Sequence, residues 1–260
     1  MPADGLSPLP PLPPLDAAAQ QRLAGCLAMV RQRMRAAEAA AGRPAGSVQL
    51  LAVTKTFGAP VVAAAARLGQ QRFGENYVQE AVAKIDALRR CPGLPALEWH
   101  FIGPIQSNKT RSIAAHFDWV QSVDRMNIAQ RLSDQRPPQL APLQALIEVN
   151  ISGEASKSGV DPAHLPALAL AIGALPRLRL RGLMAIPEPG LAAAAQREAF
   201  ERLHGLLETV RATLAADPQG RAAAPGIDTL SMGMSADFEA AIGAGSTMVR
   251  VGSAIFGERT

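Results

Sequence analysis

Eight short apolar runs, each followed by a segment of helical periodicity, set the strongest limit on what this chain can become. The runs lie at Val48 to Thr54, Arg72 to Glu75, Trp99 to Ile102, Trp119 to Ser122, Ala145 to Asn150, Arg181 to Ile186, Thr229 to Met232 and Met248 to Gly252. Helical patterns fall near Pro60 to Leu68, Val78 to Arg89, Lys109 to His116, Met126 to Gln135, Pro162 to Ala174, Ala192 to Ala215 and Ala236 to Gly243. Leu50-Leu51-Ala52-Val53 and Ala145-Leu146-Ile147-Glu148-Val149 are nearly continuous in apolar character, as strands covered on both faces require. Alternation of strand and helix implies a parallel sheet with right-handed crossovers. An extra helix precedes the series, capped by Asp16 and running to about Ala41, with Leu23, Leu27, Val30 and Met34 on one stripe. Eight units behind such a helix fit a single (β/α)8 TIM barrel better than an open doubly wound sheet of five or six strands.

Composition agrees with one folded unit. The 260 residues are 48% hydrophobic and 18% charged, too apolar for a disordered chain. The barrel is expected over residues 16–260, after a Pro-rich tail, Met1 to Leu15, that reads as disordered and lacks the basic and apolar regions of a signal peptide. The net charge of +4 is scattered and aromatics are only 4%, which argues against nucleic acid as a partner. Cys26 and Cys91 form neither a disulfide framework nor a zinc pattern, so no metal is expected. No apolar stretch approaches the roughly 20 residues that cross a bilayer, which leaves no membrane role and makes the cytoplasm the default compartment.

In a barrel of this kind chemistry sits where strands end. The first run ends in Lys55, whose amine, partly desolvated in the mouth, would have a lowered pKa and could attack a carbonyl to form an imine. A lysine snorkelling from a strand exit to solvent is the plainer alternative. The second exit, Phe73-Gly74-Glu75-Asn76-Tyr77, offers an amide that could lie against a flat ligand or, equally, cap the helix beginning near Val78. His100, inside an apolar strand, reads as a satisfied core histidine more readily than a catalyst. Gln106, Ser107 and Asn108 look like loop and cap chemistry, and Asn150 to Lys157 like a solvated loop.

The last two exits are richer. Ser231-Met232-Gly233-Met234-Ser235 follows the seventh run and Arg250-Val251-Gly252-Ser253 closes the eighth. Barrels bind phosphate with the loops after strands seven and eight, through backbone N–H groups exposed at glycine and a helix N-terminus. Gly252 would let the backbone approach an anion, and the hydroxyls of Ser235 and Ser253 would donate to it. A reactive amine facing a phosphate cup suits a flat phosphorylated aldehyde, pyridoxal 5′-phosphate. Arg250 would then face its pyridine nitrogen and, as a fixed cation, keep that nitrogen unprotonated and weaken the ring as an electron sink.

The order of the motifs Leu51-Ala52-Val53-Thr54-Lys55-Thr56, Phe73-Gly74-Glu75-Asn76-Tyr77-Val78-Gln79-Glu80, Trp99-His100-Phe101-Ile102-Gly103-Pro104, Val149-Asn150-Ile151, Arg181-Gly182-Leu183-Met184-Ala185-Ile186-Pro187 and Leu230-Ser231-Met232-Gly233-Met234-Ser235 resembles the pyridoxal phosphate homeostasis protein family. That family's barrel is similar to the N-terminal domain of alanine racemase. The resemblance implies a pyridoxal 5′-phosphate held by Lys55 as an internal imine, with Asn76 at the ring, Ser235, Gly252 and Ser253 on the phosphate, and Arg250 at the pyridine nitrogen. Thr54 stands where the family usually has Ser, and Ser253 where it often has Thr. Both keep a hydroxyl.

The implied role is a carrier, with no catalytic residue, that buffers or delivers the cofactor to dependent enzymes as recipients and is itself a monomer. A racemase-like enzyme is the alternative. Two-base racemisation needs a second acid/base, which the racemase resemblance places on a Tyr from an added C-terminal domain and a partner subunit. The sequence given stops at Thr260 and its only tyrosine is Tyr77. A barrel aldolase is disfavoured by analogy, because its lysine commonly lies on a later strand.

Overall fold

The computed structural model describes residues 12–153, 158–188 and 190–257. Residues 1–11 of the tail, and Glu154 to Lys157 of the loop read as solvated, lie outside them. Eight parallel strands close on themselves in sequence order. They are β1 (Gln49–Val53), β2 (Arg72–Glu75), β3 (Glu98–Phe101), β4 (Trp119–Val123), β5 (Leu143–Glu148), β6 (Leu178–Met184), β7 (Thr229–Ser231) and β8 (Met248–Val251). Closure is direct, with Gln49 opposite Met248 and Leu51 opposite Arg250.

The helices α2 (Ala59–Arg67), α3 (Val78–Arg89), α4 (Thr110–His116), α5 (Met126–Gln135), α6 (Leu165–Gly173), α7 (Ala193–Ala216) and α8 (Phe238–Gly243) surround the barrel. The leading helix α1 (Ala17–Ala40) starts at Asp16, whose carboxylate accepts the N–H of Ala19 at 2.7 Å. Its buried stripe is the expected Leu23, Leu27, Val30 and Met34, joined by Glu38. The Glu38 carboxylate accepts the N–H groups of Gly46 and Val48, at 2.9 and 2.7 Å, and so fixes the turn into β1. Arg33 reaches Glu239 at 2.6 Å and Arg43 donates to the carbonyls of Ile242 and Ser246, tying α1 to α8.

Most of the apolar core lies between strands and helices, where Phe73, Phe101, Leu143 and Leu180 meet Ile85, Phe117, Ile128 and Phe200. The barrel interior is more polar, with Gln121, Ser231 and Arg250 all buried inside it. Two differences from the sequence reading have simple causes. Strand β6 begins at Leu178, three residues earlier than expected, because Leu178 and Leu180 alternate with Arg179 and Arg181 and the charges interrupt the apolar run. A last helix, α9 (Ser253–Phe256), has only four residues and therefore no periodicity to detect.

Candidate functional site

Strand order places the first and last exits side by side. A Cβ on Gly252 would lie 3.3 Å from the carbonyl oxygen of Val53, two residues before Lys55, so the chain after β8 presses directly on the end of β1. A side chain there would press on that carbonyl, which a glycine avoids. The rings of Phe57 and Phe256 meet at 5.2 Å and hold the loop after β1 against α9. Lys55 is half-buried at this junction.

The loops after β7 and β8 are joined as well. The N–H of Ala254 donates to Ser235 Oγ at 3.3 Å, which brings Ser235, Gly252 and Ser253 into one small region. Ser253 is exposed and Ser235 half-buried. Neither serine occupies an N-cap position, which Asp237 holds for α8 and Gly252 for α9, although Ser235 Oγ takes up the N–H of the second residue of α9.

On the other side of Lys55, Val53 pairs with Gly74, so the β2 exit with Asn76 is the neighbouring one. The capping alternative for Asn76 fails, since Tyr77 occupies the N-cap of α3 without a side-chain bond. Asn76 Oδ1 is instead buried with no hydrogen-bond partner. A buried amide oxygen in that condition is costly unless something else satisfies it. The backbone of Asn76 is fixed by Gly103, where a Cβ would come within 2.4 Å of the Asn76 carbonyl oxygen, and Gly103 is held in turn by Ser122 Oγ at 2.5 Å.

Arg250 is buried inside the barrel, donating through Nη1 to Ser231 Oγ at 2.7 Å and through Nη2 to the carbonyl of Ala185 at 2.9 Å. Burial pushes its pKa down to about 10, opposed by Glu148 and Asp237, so it remains a cation at neutral pH. From Arg250 a row of hydrogen bonds crosses the barrel. Ser231 Oγ donates to Gln121 Oε1 at 2.7 Å, and Gln121 Nε2 lies 2.9 Å from His100 Nδ1. His100 Nε2 lies 2.9 Å from Glu98, which Arg72 pairs at 3.0 Å. Because the amide donates to Nδ1, the imidazole proton resides on Nε2 and the ring is neutral. Burial keeps its pKa low, against the pull of Glu98. His100, stacked on Trp119, is thus a core histidine, as its sequence context suggested.

One group escaped the sequence reading. Glu148, the last residue of β5, is a carboxyl whose pKa burial and the nearby Asp124 push up to about 7, against the attraction of Arg250. The rule that singles out Lys55, a charged residue closing an apolar strand, would have found it too. By contrast Gln106, Ser107 and Asn108 are exposed on a 3-10 turn, where the Ser107 carbonyl accepts from Thr110.

A half-buried amine, an unsatisfied amide oxygen, a hydroxyl-lined turn with a bare glycine and a buried cation match the parts of a phosphorylated aromatic aldehyde. Comparison with known proteins points the same way. The family model for the N-terminal domain of alanine racemase matches residues 26–260. The chain is 56% identical over 233 residues to the pyridoxal phosphate homeostasis protein of Pseudomonas aeruginosa, covering 90% of this chain and 94% of that one. It is 52% identical to the protein of the same description in Escherichia coli, with 90% and 95% covered. Among solved structures it is similar to PipY of Synechococcus elongatus with pyridoxal phosphate bound, at 35% identity and a TM-score of 0.75, covering 90% of this chain and 100% of that one. Among the described residues no helix is long and apolar enough to cross a membrane.

Proposed function

This chain belongs to the pyridoxal phosphate homeostasis protein family, and from that premise we propose that it carries pyridoxal 5′-phosphate in the barrel mouth without turnover of its own. The observation that carries the reading is the contact of Gly252 with the end of β1, which sets a phosphate-type turn beside Lys55. In this reading the Lys55 amine condenses with the cofactor aldehyde and releases water. Ser235, Ser253 and the backbone at Gly252 hold the phosphate, Asn76 lies at the ring, and Arg250 meets the pyridine nitrogen. When bound, the cofactor supplies a captive aldehyde and an electron-withdrawing ring. Arg250 stays protonated at neutral pH and cannot deliver the positive charge to the ring that strong carbanion chemistry requires. Such a site stores or hands on its ligand, with enzymes that use the cofactor as recipients.

The test is an absorption spectrum of the purified protein, followed by borohydride reduction and peptide mapping. A yellow protein whose reduced adduct maps to Lys55 supports the reading. A colourless protein that takes up no added cofactor would refute it. Racemase and transaminase assays over a panel of amino acids, beside a Lys55→Ala control, separate carrier from enzyme. Turnover of about 1–10³ s⁻¹ that vanishes in the control would favour the racemase-like alternative.

A further inference from the structure

The motif around the second exit contains two carboxylates, Glu75 and Glu80, that cofactor binding leaves without a role. Both converge on the buried ammonium of Lys84 in α3. Lys84 Nζ lies 2.6 Å from Glu75 Oε1 and 3.1 Å from Glu80 Oε1, and it donates to the carbonyl oxygen of Thr54 at 2.9 Å. Thr54 Oγ1 donates to the same Glu75 oxygen at 2.6 Å. Glu80 Oε1 accepts the N–H of Thr56 at 2.8 Å. The Thr54 carbonyl and the Thr56 N–H belong to the two peptide groups that flank Lys55. One charged cluster therefore holds both.

Thr56 needs holding. Its φ of 72° makes it the only non-glycine residue with positive φ among those described, a conformation a β-branched side chain adopts at a cost. The cluster sits on the helix side of β1, where the Thr54 hydroxyl points. Lys55 follows in the turn, half-buried at the strand exit.

We propose that Glu80 and Lys84 are positioning residues, which clamp the turn through Lys55 from α3 and keep its amine set for capture of the aldehyde. This rests on Lys55 being the attachment point. Charge-assisted bonds to backbone are stronger than neutral ones, so a single carboxylate suffices to stabilise the strained residue.

Glu80 is the residue to change, because its side chain is 35% exposed while that of Lys84 is 3% exposed, and its removal leaves the Lys84–Glu75–Thr54 contacts in place. Pyridoxal 5′-phosphate would be added to cofactor-free wild type, Glu80→Ala and Glu80→Gln, recording the rate of adduct formation, the visible circular dichroism of the bound chromophore and the thermal midpoint. Glu80→Ala is expected to load about tenfold more slowly with an altered dichroic band, and Glu80→Gln, which still offers an oxygen to the Thr56 N–H, to recover most of the rate. Wild-type loading and dichroism in Glu80→Ala, with or without a lowered midpoint, would overturn the clamp while leaving the Lys55 reading intact. Absence of a Lys55 adduct in the wild type would overturn both. Should Glu80→Ala fail to fold, Glu80→Asp, one methylene short of the Thr56 N–H, replaces it with the same expected slowing.

Discussion

The two ends of the barrel carry similar residue types in opposite conditions. At the N-terminal end of the strands the charges find partners within the protein. Arg72 pairs with Glu98, Arg181 with Asp228, and Arg136 donates to the carbonyls of Ala114, Phe117 and Ala141 at 2.7 Å each. Asp118 accepts the Trp99 N–H at 2.8 Å. At the mouth, Asn76 Oδ1 is buried without a partner and Ser253 is exposed. A self-satisfied end stabilises the fold, and an end with hydrogen-bonding capacity to spare binds something else. The row from Arg250 to Arg72 connects the two.

The sharpest way to break the contrast is Lys55→Ala. It is expected to abolish the borohydride-trapped adduct altogether while leaving the thermal midpoint of the cofactor-free protein nearly unchanged, read by mass spectrometry and melting. At the other end, Arg136→Ala should do the reverse. It strands the buried carbonyls of Ala114 and Phe117 and frees that of the exposed Ala141, so a loss of about 2–3 kcal/mol is expected in urea unfolding, with the cofactor adduct still forming at Lys55.

Ser235→Ala tests the mouth more gently. One charge-assisted hydrogen bond to the phosphate is worth about 1.5–3 kcal/mol, so Kd by titration should rise roughly 10- to 150-fold, with the adduct still formed at high cofactor concentration. Unchanged affinity would mean that Ser235 serves only to tie the loop to Ala254.

The narrowest test concerns pH in the cofactor-free protein. Glu148 has a folded pKa near 7, above its ordinary value of 4.5, so the folded chain holds that proton more tightly. Its contribution is full below about pH 4.5 and is lost as pH rises toward 7. His100 has a folded pKa below its ordinary 6.5, so its contribution is present above that pH and lost as the solution is acidified. Burial raises the Glu75 and Asp118 carboxyls in the same direction, so melting between pH 4 and 8 should show a shallower decline from pH 4.5 to 7 in Glu148→Gln than in wild type, and an unchanged slope would place the proton elsewhere.

The strand and helix order was legible because it is written in local patterns. Both α3 and α5 start and stop where periodicity said, and the exits of β1, β2, β7 and β8 lie where the apolar runs end. What stayed hidden depends on partners far apart in the chain. Ser231 and Gln121 look like unremarkable strand residues until closure puts them in contact across the barrel. The clamp on Lys55 was invisible for the same reason, since nothing local says that Lys84 will sit beneath Thr54. The fold places Asn76, Ser235, Arg250, Gly252 and Ser253 on the β2, β7 and β8 exits that neighbour or adjoin the β1 exit.

The pairing of Leu51 with Arg250 has a consequence in time as well as in space. Lys55 is among the first barrel residues to leave the ribosome, whereas Ser235, Gly252 and Ser253 are among the last. Bringing such distant segments together is entropically demanding and slow relative to local helix formation. No partial product of synthesis that stops short of β8 can offer amine and phosphate turn together. If Lys55 and this turn hold the cofactor as proposed, its capture would report on a finished barrel, and colour appearing during refolding would mark the moment the first strand meets the eighth.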